Sequence, residues 1–192
     1  MGTLDENDAG LVWLLSVDGT HCPTTEPRPL SSEWSSHKLG GKAGVNYEIG
    51  LLLHRPKLVW VEGCTKPGVE NDLMVFRRKL MLSIDAMRIP GRKIIADGIC
   101  GAEPDYVSIK NDFDPPEIKN FKNRVSSRHE NFNGLLKNYS CLTKKFHHGV
   151  DWHKICFRAV CCVVMFQMES GGASLLDPCP PSLIEEQLHA RC

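Results

Sequence analysis

The chain has 192 residues, 42% of them hydrophobic and 24% charged, which suits one folded domain with a buried core and argues against a disordered chain. Lys plus Arg and Asp plus Glu number 23 each, so net charge points to no partner, and any nucleic-acid contact must come from a local patch. Nine cysteines, an odd number, follow an opening MGTLDENDAG that lacks a basic segment leading into an apolar one, and free thiols in a reducing intracellular compartment are expected.

Residues 1–10 are polar and read as a disordered segment, residues 11–169 as the folded domain, and residues 170–192 as a flexible tail. Leu11 to Val17 is an apolar, strand-like run that ends at Asp18 and Gly19. The Gly-, Pro- and Ser-rich stretch from Gly19 to about Gly44 predicts a long loop. VNYEIGLLLH and KLVWVEGC then form two strand-like runs around Arg55 and Pro56, a hairpin that completes a three-strand meander. In GVENDLMVFRRKLMLSIDAM the period changes, with Leu73, Phe76, Leu80, Ile84 and Met87 at helical spacing.

Lys93 to Ala96 predicts a fourth strand, which also ends in an acid and a glycine, Asp97 and Gly98. YVSI is a weaker fifth strand. A helix is predicted from about Pro116, with the proline at its start, to Tyr139. DWHKICFRAVCCVVMFQME predicts a last amphipathic helix. Its run from Ala159 to Phe166 is too short to span a bilayer and reads as core. No internal repeat is present. The order β-β-β-α-β-(β)-α-α defines an α/β fold with a mixed sheet flanked by helices.

Two strands ending in acids would place Asp18 and Asp97 side by side, and Glu130 lies on the helix whose apolar residues Val125, Phe132, Leu135 and Leu136 must cover that sheet. Three carboxylates at one rim repel one another unless a cation intervenes. Oxygen ligands suit Mg²⁺ or Mn²⁺, and two such ions promote in-line phosphoryl displacement. Taken singly, each acid has a plainer explanation: an Asp–Gly pair is a common turn, and a helical glutamate is commonly just solvated. Gly19 itself reads as room for a metal or a phosphate.

The order and wording of these segments resemble the catalytic domain of PIF/Harbinger-type DDE transposases, the DDE superfamily endonuclease group. VDGTHCPTTEP matches the first-acid motif, YEIGLLLHRPKLVWVEGCTKPGVENDLMVFR the second and third strands with the entry to the helix, and RHENFNGLLKNYSCL with FHHGVDWHKICFRAVCCVVMFQME the glutamate helix and its successor. The likeness runs from about Leu11 to Glu169. It implies a ribonuclease-H-like mixed β-sheet, in which three antiparallel meander strands are joined by one or two further strands. It also implies Asp18, Asp97 and Glu130 as catalytic and metal-binding residues for two Mg²⁺ or Mn²⁺ ions, DNA as substrate, and a nuclear location. The acids are 79 and 33 residues apart. Relatives commonly carry a glycine and an aromatic after the second acid, where this chain has Ile99 and Cys100. They also carry an upstream DNA-binding segment, for which ten residues leave no room, so the chain reads as a fragment, a domesticated remnant or a protein that relies on a separate DNA-binding partner, with an oligomer possible. The rival reading is a domesticated or truncated, catalytically inactive remnant that serves as a DNA- or protein-interaction module.

From Glu117 to His148, Lys119, Lys122, Arg124, Arg128, Lys137, Lys144 and Lys145 outnumber the acids Glu117 and Glu130. Arg128 and Lys137 are the expected DNA phosphate contacts. His147, His148 and His153 with Cys156, Cys161 and Cys162 lack the paired spacing of a zinc site, and the cysteines read as small core residues.

Overall fold

The computed structural model describes residues 12–26, 31–53, 55–81, 92–96, 103–173 and 175. Five strands form one sheet: β1 (Val12–Pro23), β2 (Gly44–Leu52), β3 (Leu58–Thr65), β4 (Arg92–Ile95) and β5 (Val107–Ser108), in the order β3-β2-β1-β4-β5. β1–β2 and β2–β3 are antiparallel, as a meander requires, whereas β1–β4 and β4–β5 are parallel. The helices are α1 (Asp72–Val75), which continues as a π-helical stretch Phe76–Met81, then α2 (Pro116–Lys137), α3 (Ser140–Thr143) and α4 (Val150–Glu169). None of the described helices is long and apolar enough to cross a membrane.

Strand alternation sends successive side chains to opposite faces of the sheet. On one face Val45, Tyr47, Ile49 and Leu51 of β2 pack with Phe132 and Leu136 of α2 and Phe157, Val160 and Val164 of α4. Tyr47 lies flat on Phe157 at 3.7 Å, and its hydroxyl meets Nδ1 of the buried His153 at 2.8 Å. On the other face Leu15 and Val17 of β1 pack with Phe76 and Leu80. A β-bulge between Trp13 and Ser16 interrupts the alternation, so that Trp13 joins Phe121 of α2 instead, with ring centroids 5.2 Å apart.

Three expectations are revised. β1 does not stop at Val17 but runs on to Pro23, because residues 18–23 keep pairing with β2 from Asp18–Ile49 to Pro23–Gly44. The loop that follows is shorter than expected and carries two 3-10 turns, Ser32–Trp34 and His37–Leu39, each capped by a serine side chain. Past α4 the chain is not free at once, since Leu175 is buried against the same core as Met168. The expected helical residues Ile84 and Met87, the expected disorder at 1–10 and most of the expected tail lie outside the described residues.

Candidate active site

The site follows from the fork in the sheet. The parallel pairing of β1 with β4 ends at Ser16–Ile95, while β1 continues alone with β2. Asp18 stands two residues past that last pair on β1, and Asp97 is two residues past it in sequence on the other strand. Asp18 is therefore not a strand terminator. It sits inside the β1–β2 ladder, at the point where β4 has left its other side open. Its Oδ1 accepts from the Gly19 amide at 2.8 Å and its Oδ2 from the Asn133 side chain at 3.1 Å, so α2 fixes the carboxylate from above.

Glu130 is one turn earlier on α2 than Asn133, and its carboxylate makes no hydrogen bond or ion pair with the described residues. Asp18 and Glu130 line one cavity of about 300 Å³ together with Ser16, Ala96, Lys110 and His129. Ala96 is the chain neighbour of Asp97, which itself lies outside the described residues, as do Ile99 and Cys100. Burial holds the His129 imidazole down at about 4, so it is neutral at physiological pH. Glu130 also borders a second cavity of about 370 Å³, lined by Lys38, Asn133 and Lys137. Both lysines are held by β1 carbonyls, Lys38 by Gly19 at 3.1 Å and Lys137 by His21 at 2.8 Å. An ammonium has three donors, which leaves each lysine able to meet an anion in the groove.

Arg128 is a different case, and the expectation that it meets DNA phosphate is corrected. It is 2% exposed, and its guanidinium donates to the carbonyls of Leu52, Leu53 and Arg55. One planar fork thus gathers the carbonyls where β2 leaves the sheet, a geometry that suits Arg and not Lys. Lys122 is also buried, against Asp114 at 3.2 Å and the Ile109 carbonyl at 2.8 Å. The basic run therefore divides into two internal clamps, the half-buried Lys137 at the groove and four exposed lysines and arginines.

Sequence reasoning missed a second pair of acids on the opposite face of β1. Glu48 of β2 is opposite Gly19 in the ladder and is buried, and Asp72 begins α1. A side chain on Gly19 would place its Cβ 2.8 Å from Glu48 Oε1 and 3.1 Å from Asp72 Oδ2. The glycine makes room for these carboxyl groups, not for a metal or phosphate. Burial, followed by the charge and hydrogen bond of Asp72, raises Glu48 well above the usual carboxylate range, so it is protonated and donates to Asp72. Burial would push Asp72 up too, but the Glu48 hydrogen bond, the Lys38 charge and the Asn46 side chain together hold it low. Its signal in the sequence was a glutamate between apolar residues in a central strand, facing a glycine.

Among the described residues, of which Asp97 is not one, no group of three or more His, Cys, Asp or Glu is placed to hold a metal ion. The donors that do meet, two carboxylates with one fixed by Asn133, are hard oxygen ligands of the kind Mg²⁺ and Mn²⁺ take. Comparison with known proteins finds no matching family model, no matching curated protein and no matching solved structure.

Proposed function

We propose that this chain is a divalent-metal-dependent DNA endonuclease and strand-transfer domain of the PIF/Harbinger DDE type, built on a ribonuclease-H-like sheet. The observation that carries the reading is the meeting of Asp18, Glu130 and Ala96 around one cavity, with Asp97 the next residue of the chain. The strand order, with an antiparallel meander on one side of β1 and parallel strands on the other, supports it.

Asp18, Asp97 and Glu130 would hold two Mg²⁺ or Mn²⁺ ions, which when bound supply an activated water or 3′-hydroxyl and charge relief at the leaving oxygen. The protein's own residues orient and attract. Asn133 and the Gly19 amide fix the Asp18 carboxylate so that no rotamer search precedes binding. Lys38 and Lys137 border the groove beside Glu130 and draw the phosphate backbone toward it. His129, neutral, adds no charge that would compete with a cation. A nuclear location and a separate DNA-binding partner belong to the same reading.

The test is nicking of supercoiled plasmid in Mg²⁺ or Mn²⁺ by the parent beside Asp18→Asn, Asp97→Asn and Glu130→Gln. Activity in the parent and its loss in all three, with melting temperatures unchanged, is the expected result. Cleavage that survives the substitutions sinks the site assignment. No cleavage, together with no metal-induced thermal shift, replaces this reading with that of a non-catalytic interaction module.

A further inference from the structure

α4 is a helix with two apolar faces. One face, through His153, Phe157, Val160, Cys161, Val164 and Met168, is buried on the sheet. The other is exposed and yet carries large apolar side chains: Trp152 is 63% exposed, Ile155 57%, Val163 44% and Phe166 70%. A surface helix ordinarily turns polar residues to water, so this second stripe needs a partner.

We infer that the stripe is the interface with a second copy of this chain, the two α4 helices packing antiparallel about a two-fold axis at Ala159. The pattern is self-complementary. Measured from Ala159, Trp152 and Phe166 lie seven residues to either side, and Ile155 and Val163 four. At about 100° per residue all five fall within about 40° of one line along the helix. Under the two-fold, Trp152 meets Phe166 of the other copy, Ile155 meets Val163, and Ala159 meets its own mate. Aromatic, branched, small, branched, aromatic is the same sequence read in either direction, as an isologous contact demands. The small residue falls at the crossing point, where it allows close approach of the helix axes.

The areas agree. The four large side chains present roughly 500 Å² of apolar surface per copy, near the upper limit for an ordinary monomer patch. Covering it on both copies removes roughly 1,000 Å², the lower bound for a specific interface. The charged flank, Asp151, Arg158 and Glu169, lies about 80–100° off the stripe and forms the rim. In this register Arg158 neighbours its own mate, a like-charge contact that weakens the pair. The inference rests on α4 alone and stands whether or not the cavity binds metal.

Sedimentation velocity of the full chain at micromolar concentration tests it. The parent is expected as a dimer and Ala159→Arg as a monomer, with the same circular dichroism and melting profile because residue 159 is exposed on a helix. Val163→Glu, on the same stripe, should do the same. Arg158→Ser should tighten the dimer several-fold. A monomeric parent overturns the proposal and leaves the stripe to another segment or partner. So does a dimer that survives Ala159→Arg, or one that Arg158→Ser weakens.

Discussion

Asp18 and Gly19 are neighbours on β1 and so face opposite sides of the sheet, and each side carries a pair of acids. On the α2 side Asp18 and Glu130 line an open cavity. On the α1 side Glu48 and Asp72 are closed over Gly19, with Glu48 at 2% exposure. The sealed pair relieves its repulsion by keeping a proton, because burial makes a second negative charge too unfavourable. The open pair has solvent, and therefore access for a cation. Two acid pairs a strand's thickness apart thus take opposite solutions to one electrostatic problem, and accessibility chooses between them.

The largest effect that could break this contrast is functional. Asp18→Asn keeps the size of the side chain and its contact with Asn133 but removes a charge, and is expected to reduce DNA cleavage about 10³-fold or more while leaving stability within about 0.5 kcal/mol. Plasmid nicking and thermal melting, measured on the same preparations, check both halves. The converse holds for Arg128. Arg128→Ala strips donors from three carbonyls and is expected to destabilise the fold by about 3 kcal/mol, read from urea unfolding. A DNA-affinity loss without that destabilisation would restore Arg128 to the groove.

The meander, the switch of period at Asp72 and the two long helices were legible because each rests on local pattern: alternation in β2, 3.6-residue spacing in α2 and α4, and Pro116 at a helix start. What misled was the stretch Gly19–Pro23. Gly and Pro read as turn residues, yet Gly19 is there because Glu48 and Asp72 approach it from across the sheet, a tertiary cause with no local trace. Arg128 was misplaced for a similar reason. Its charge was visible in the sequence, but which side of α2 faced the β2 carbonyls was not. Of the three expected ligands, the structure brings Asp18 and Glu130 to one cavity and does not describe Asp97.

The pH dependence of stability separates the sealed pair from the rest. His21, His129 and His153 are each lowered to about 4, first by burial, so the unfolded chain binds protons that the folded one refuses. Stability should therefore fall as pH drops from 6.5 toward 4, with a slope of up to about 1.4 kcal/mol per pH unit for each histidine. Glu48 works the other way. Its folded-state value is raised, so its contribution is complete below about 4.5 and is lost as pH rises through the folded value. Glu48→Gln mimics the protonated acid and still donates to Asp72. From about 4.5 up to the folded value of Glu48 the parent loses stability from this group as pH rises and the variant does not. The difference between them should therefore shift in the variant's favour across that window, read from urea unfolding at a series of pH values. Parallel profiles in both would show that Glu48 is not the group that keeps the proton.

The smallest effect concerns the groove beside the open pair. Lys137 gives one hydrogen bond to the His21 carbonyl and borders the cavity it shares with Lys38 and Glu130. Removing its charge with Lys137→Gln should leave the fold intact, since the amide can still donate to that carbonyl. DNA affinity should weaken to a similar degree across sequences, and the slope of log affinity against log salt should lessen by about one. That change in slope distinguishes a phosphate contact from a merely structural lysine, because a positioning role alters affinity without altering the number of ions released. An unchanged slope would place the DNA path on the Lys110 side of Glu130, along the cavity that Asp18 lines.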